Sequence, residues 1–173
     1  TVSDVHDVDR RSRWIQLVDL NPQFAEVALG EEVEINWTST EGKTVGGVLV
    51  YPVGYQEGTR YPLIVAIHGG PASADVLRFR GGYSSAQVYA GAGYATLKPN
   101  YRGSRNYGNA HRTDIVGDYF TLGYDDIMSG VDYLIAEGIV DEDQMGVLGW
   151  SAGGHWSNWI LTHTDRFKAI SSG

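Results

Sequence analysis

The chain has 173 residues, 42% of them hydrophobic, with a formal net charge of −8. That length suffices for one domain with a real core, and the acidic balance argues against nucleic acid or an anionic membrane surface as main partner. No apolar run is long enough to span a bilayer, and the lack of cysteine excludes disulfides, thiolate zinc sites and a cysteine nucleophile.

The 23 glycines suit an α/β protein with many tight turns. Cysteine usage leaves the compartment open, with the cytoplasm as working expectation. The chain begins at Thr1 without methionine or a signal-like segment, so processing or a longer parent is expected.

Residues 1–30 are mixed: Asp4, Asp7 and Asp9, a basic group at Arg10, Arg11 and Arg13, then Trp14 to Val18, which reads as a strand until Asn21-Pro22 breaks it. Val33, Ile35 and Trp37 alternate with polar residues, and Thr44 to Tyr51 is β-rich. These predict two paired strands joined around Glu41-Gly42, followed by a loop over 52–60. Leu63 to Ile67 is a continuous apolar run, the pattern of a strand buried on both faces of a parallel sheet.

That run leads into His68-Gly69-Gly70-Pro71. A short helix is predicted over 84–91 and a strand from Tyr94 to Lys98, ending in Pro99-Asn100-Tyr101-Arg102-Gly103-Ser104 and a polar, tyrosine-rich loop. Ile127, Val131, Leu134 and Ile135 then mark one face of an amphipathic helix. Asp125 and Asp126 read as opening that helix and suiting its positive end, with no catalytic role. Asp141 to Gln144 reads as a turn, Met145 to Leu148 as a strand, and Ala169-Ile170-Ser171 as the opening of another. Strands alternating with helices imply a mostly parallel sheet with helices on both faces and antiparallel strands at its N-terminal edge.

The stretch that carries chemistry is Gly149-Trp150-Ser151-Ala152-Gly153-Gly154. It lies between the Met145–Leu148 run and a helical pattern that puts Trp156, Trp159, Ile160 and His163 on one face. Strand, G-x-S-x-G, helix is the context of a nucleophile elbow. The glycines two residues either side of Ser151 permit a tight turn and a close helix–strand approach. The serine hydroxyl would project above the sheet, and the reading is a serine hydrolase. The plainer alternative is a serine that only caps a helix.

Three blocks, His68-Gly69-Gly70-Pro71, Pro99 to Ser104 and Gly149 to Gly154, agree in order and spacing. Together with Asp165-Arg166-Phe167-Lys168-Ala169 they resemble the catalytic domain of the prolyl oligopeptidase family, in its acylaminoacyl-peptidase and dipeptidyl-peptidase branch. The resemblance runs from about Leu20 to the C-terminus. It implies a partial α/β-hydrolase fold over 21–173, preceded at 1–20 by the end of, or link from, a β-propeller. It also implies cleavage of peptide or acyl-amino-acid bonds through an acyl-enzyme, with no cofactor. The implied partners are the substrate, the remainder of the catalytic domain and the propeller; homo-oligomerisation is left open.

In this fold the triad runs serine, acid, histidine along the chain. After Ser151 the sequence holds two histidines and one aspartate, His155, His163 and Asp165. His163 lies about three helical turns beyond the serine, too far to be its base. The acid and base are therefore expected C-terminal to this chain, which alone is expected to be inert.

Oxyanion donors are assigned to the N–H of Ala152, which follows the nucleophile, and, by the resemblance, to that of Gly70. A Gly-Gly-Pro turn merely ending a strand is the alternative for the latter. His68 is expected to brace its loop through backbone hydrogen bonds. Tyr101, Arg102 and Tyr107 lie past a strand's C-terminal end, where α/β sheets bind ligands. They are read as substrate contacts or loop supports, with an ion pair favoured for Arg102. His155 stands where the relatives more often carry an aromatic residue, and is expected to be structural, buried beneath the serine. His6 and His111 have no evident partners. No metal-ligand spacing occurs. Asn36-Trp37-Thr38 matches a glycosylation sequon by chance in a strand. An esterase of the same fold and a non-catalytic scaffold are the competing functions.

Overall fold

A computed structural model describes residue 15, residues 17–78 and residues 85–173. Six strands form one sheet: β1 (Glu32–Thr38), β2 (Thr44–Val50), β3 (Tyr61–Ile67), β4 (Ala95–Asn100), β5 (Val140–Gly149) and β6 (Ala169–Ser172). Their spatial order is β1-β2-β4-β3-β5-β6. β1 and β2 pair antiparallel, as does β2 with β4, while β3, β4, β5 and β6 run parallel. The helices are α1 (Ala86–Gly91), α2 (Gly108–Thr113), α3 (Tyr119–Ala136) and α4 (Ala152–His163). This is the mostly parallel sheet, with antiparallel strands at the N-terminal edge, that the alternation predicted.

Side chains alternate across each strand, so each face has its own core. On one face Leu63, Val65 and Ile67 of β3, Leu97 of β4 and Val147 of β5 are buried with Ile127, Val131 and Leu134 of α3 and Trp156 and Ile160 of α4. On the other, Val48 and Val50 of β2 pack with Ala86 and Ala90 of α1. The first core depends on two indoles seated against α3. A Cβ at Gly123 would run into Trp156, and one at Gly130 into Trp37, so the helix carries glycine where tryptophan must come close. Fully burying a side chain as large as Trp156 is worth about 3–5 kcal/mol against truncation to alanine.

The structure departs from the sequence reading in several places. Of the run Trp14 to Val18, residues 14 and 16 lie outside the described residues; Ile15 forms a bridge, and Leu17 and Val18 have no regular structure. β4 continues through Pro99 to Asn100. The β3–β4 ladder reaches only Leu97, and a strand end paired on one side tolerates proline. The tyrosine-rich loop contains α2. The turn expected at 141–144 is an irregularity within β5, where pairing passes from Tyr61 opposite Val140 to Leu63 opposite Met145.

The largest correction concerns α3. It starts at Tyr119, capped by the Asp118 carboxylate, which accepts from the Thr121 N–H at 3.2 Å. Asp125 and Asp126 therefore lie in its second turn and do not open it, and Asp126 is completely buried.

Candidate active site

β5 ends at Gly149 and α4 begins at Ala152, leaving Trp150 and Ser151 to make the whole reversal. Ser151 adopts φ 58° and ψ −118°, a left-handed conformation that costs a non-glycine residue on the order of 1–3 kcal/mol. Neighbouring hydrogen bonds hold it there. The Ser151 N–H donates to Gly173 O at 2.7 Å, Gly173 N–H to Gly149 O at 3.1 Å, and Gly153 N–H to Trp150 O at 3.0 Å. The α4 backbone closes over the turn through His155 N–H to Ser151 O at 3.1 Å.

The motif glycines are explained by close approach. A Cβ on Gly149 would overlap the Gly153 carbonyl, and a Cβ on Gly153 would overlap that of Ile67. With hydrogen there, helix and strand ends meet and Ser151 is left exposed at the tip. Ala152 is the first residue of α4, so its N–H has no acceptor within the helix and sits at the helix's positive end.

The end of β3 delivers the second wall. A Cβ built on Gly69 would lie 3.2 Å from Ser151 Cβ and 3.8 Å from its Oγ, so this loop runs directly beside the serine. Gly70 follows at φ 132°, a region that disfavours any side chain. The structure thus brings Ser151, Ala152 and the Gly69-Gly70 segment together at the C-terminal edge of the parallel strands.

His68 braces this loop. Its Nδ1 lies 2.8 Å from Gly69 O, which only accepts, so in the neutral ring Nδ1 carries the proton. Nε2 then accepts from the Ser104 hydroxyl at 2.9 Å. The Tyr101 hydroxyl donates to His68 O at 2.7 Å, and its ring stacks on the imidazole at 4.6 Å. Tyr101 is wholly buried and packs on Trp156 at 4.3 Å, so it stands behind the loop rather than facing solvent. Burial pushes its phenol well above the ordinary tyrosine range.

Arg102 is 1% exposed and sits on Asp126, which is 0% exposed. Its Nε reaches both carboxylate oxygens at 3.1 and 3.0 Å, its Nη2 reaches Oδ1 at 2.9 Å, and its backbone N–H donates to Oδ2 at 2.7 Å. Asp126 also accepts from Ser39 Oγ at 2.6 Å, and Arg102 Nη2 donates to Thr40 Oγ1 at 2.9 Å. Burial opposes the guanidinium charge, but the hydrogen bonds and charge of Asp126 outweigh it and hold Arg102 above its ordinary value. The network ties the 100–105 loop to α3 and to the β1–β2 turn, a supporting geometry.

Among the described residues the Ser151 hydroxyl makes no hydrogen bond to an imidazole. His155, expected beneath the serine, is exposed: the inward face of α4 carries Ala152, Gly153, Trp156, Ser157 and Ile160, and residue 155 falls off it. Its Nδ1 meets the Tyr119 hydroxyl at 3.2 Å. His163 is exposed and stacks on Trp159 at 3.9 Å. His111 does have partners, placing Nε2 3.2 Å from Asn100 O and 3.1 Å from Tyr101 O. His6 lies outside the described residues. No cluster of three metal-ligating side chains occurs among the described residues.

Sequence reasoning missed an ion pair beside the Gly69-Gly70 loop. Lys98 Nζ lies 3.2 Å from Asp75 Oδ1. Both line a cavity of about 630 Å³ with Gly69, Gly70 and Trp150. The available signal was Thr96, Lys98 and Asn100, three polar residues on one face of an inner strand.

The sequence is 36% identical over 169 residues to an uncharacterized peptidase, YuxL, of Bacillus subtilis, covering 96% of this chain and 25% of that protein. It is 32% identical over 140 residues to dipeptidyl-peptidase 5 of Schizosaccharomyces pombe, covering 79% of this chain and 20% of that one. The fold superposes on Pyrococcus horikoshii acylaminoacyl peptidase with a TM-score of 0.78 at 29% identity, over 89% of this chain and 25% of that structure. The architecture is thus that of an α/β-hydrolase peptidase domain, and the chain spans about a fifth to a quarter of the length of these relatives. The sequence profile of the prolyl oligopeptidase family matches residues 81–173, more than half of the chain, and the chain belongs to that family.

Proposed function

We propose that this chain is the nucleophile-bearing part of a serine peptidase that cleaves peptide or acyl-amino-acid bonds. The observation that carries the reading is the left-handed Ser151 at an elbow whose tip lies against the Gly69-Gly70 loop. Family membership supports it, as does the likeness to a solved acylaminoacyl peptidase bound to Z-Gly-Gly-Phe-chloromethyl ketone, 29% identical with a TM-score of 0.78.

In this reading a histidine outside residues 1–173, oriented by an aspartate also outside them, removes the Ser151 proton as Oγ attacks the substrate carbonyl carbon. The carbonyl π electrons move to oxygen, and the N–H groups of Ala152 and Gly70 hold that oxyanion. Collapse re-forms the carbonyl and breaks the C–N bond, and the histidine passes its proton to the leaving amine. Water, deprotonated by the same histidine, then attacks the acyl-enzyme and releases Ser151. The remainder of the catalytic domain and a propeller preceding residue 21 would complete the protein. Residues 1–173 alone would be inactive, for want of the base.

The test uses the full-length protein with dipeptidyl and acyl-amino-acid p-nitroanilides beside a p-nitrophenyl ester, with Ser151→Ala as control. Amide hydrolysis that disappears in Ser151→Ala is expected. Turnover of the ester alone would replace the peptidase by an esterase, and no turnover of either would leave a non-catalytic scaffold.

A further inference from the structure

Lys98 is an unusual residue for its position. It lies on an inner strand of the sheet, between β2 and β3, and its side chain is 10% exposed. A buried ammonium is tolerated only with a charged or well-bonded partner. That partner is Asp75, 3.2 Å away and 7% exposed at its side chain. Asp75 closes the loop that begins at His68. Its backbone is gripped as well: Asp75 N–H donates to Asn100 Oδ1 at 2.8 Å, and Asn100 Nδ2 donates to Asp75 O at 2.9 Å.

The loop is therefore fastened at both ends to β4 and the residues after it. His68 is held by Tyr101 and Ser104, and Asp75 by Lys98 and Asn100. Between them Ser73 O accepts from the Arg105 N–H at 2.8 Å. Gly70 lies within the fastened span, and Asp75 lines the same cavity as Gly69 and Gly70.

We propose that Lys98 is a positioning residue for hydrolysis: by neutralising Asp75 it keeps the end of the oxyanion loop clamped to β4 and removes a negative charge from the neighbourhood of the developing oxyanion. The proposal rests on the reading of Gly70 as an oxyanion donor. In this proposal Lys98 acts through Asp75. An unpaired carboxylate would act twice, drawing the loop toward water and repelling the oxyanion. The scale of such an effect is set by general electrostatics: at an effective dielectric of about 20, two like charges about 10 Å apart repel enough to change a rate roughly tenfold.

The experiment compares Lys98→Met, Asp75→Asn/Lys98→Met and Gly70→Ala in the full-length protein. It measures kcat and KM on an amide substrate and hydrogen exchange of peptides covering residues 68–78. In Lys98→Met, kcat is expected to fall at least about tenfold with KM within about twofold, and exchange over 68–78 to accelerate. The double variant, which keeps the Asn100 bonds and has no orphaned charge, is expected to recover most of both. A double variant no better than Lys98→Met overturns the charge argument, and unchanged exchange in Lys98→Met overturns the clamp. Gly70→Ala separates the two readings. Wild-type kcat there sinks the oxyanion assignment, whereas wild-type kcat in Lys98→Met beside an impaired Gly70→Ala sinks the role of Lys98 alone.

Discussion

Replacing Arg102 by methionine removes the guanidinium while keeping most of the stem's volume. In the native protein the Asp126 carboxylate accepts from Arg102 Nε and Nη2, the Arg102 backbone N–H and Ser39 Oγ. The substitution leaves only the last two, around a carboxylate that no water reaches. Breaking a buried ion pair from one side costs about 3–5 kcal/mol. The two surviving donors place this case at the low end, about 3 kcal/mol. The exposed Glu41 contact at 3.4 Å adds nothing to that figure.

Because α3, the β1–β2 turn and the 100–105 loop meet at Asp126, the loss should appear as local opening. Hydrogen exchange in peptides covering 95–105 and 119–136 of the full-length protein should speed up roughly a hundredfold, the equivalent of about 3 kcal/mol. Arg102→Met/Asp126→Leu should recover much of the protection, since an apolar pair of similar volume carries no uncompensated charge. Exchange in Arg102→Met within about fivefold of wild type would refute the claim that this pair holds the loop to the helix.

Two other outcomes follow from the same geometry. Gly153→Ala puts a methyl into the Ile67 carbonyl, and should lower stability by about 1–3 kcal/mol or more and slow reaction of Ser151 with serine-directed reagents; thermal unfolding and labelling rates check both. For Tyr101, burial raises the folded-state pKa above the unfolded value of about 10, so its contribution is intact below pH ~10 and declines as pH rises beyond it. Stability measured from pH 8 to 11 should therefore fall more steeply above pH ~10 in wild type than in Tyr101→Phe, and parallel curves would contradict the burial argument.

The elbow was legible because its demands are local. Gly149 and Gly153 are required by backbone contacts within a few residues of Ser151 and by one strand end, and a pentapeptide flanked by apolar runs reports that directly. Continuous apolar runs likewise disclosed β3 and β5, and alternation disclosed β1 and β2. What escaped depends on chain pairs far apart, including which carboxylate Arg102 pairs with. Asp126 meets Arg102 and Ser39 across separations of 24 and 87 residues, and Lys98 meets Asp75 through a loop with no periodicity to read.

The start of α3 was missed because Tyr119 and Phe120 precede the apolar face that marked the helix, although Gly117-Asp118 offered a turn and a cap. His155 was misplaced by counting turns from the serine without fixing which face of α4 the buried Trp156 and Ile160 define.

The central claim is that Ser151 is the nucleophile. Incubating the full-length protein with a serine-directed phosphonate, followed by peptide mass mapping, tests it most directly. The account predicts a single adduct on Ser151, absent from Ser151→Ala and from unfolded protein. A folded protein that takes no label, or takes it on another residue, would contradict it.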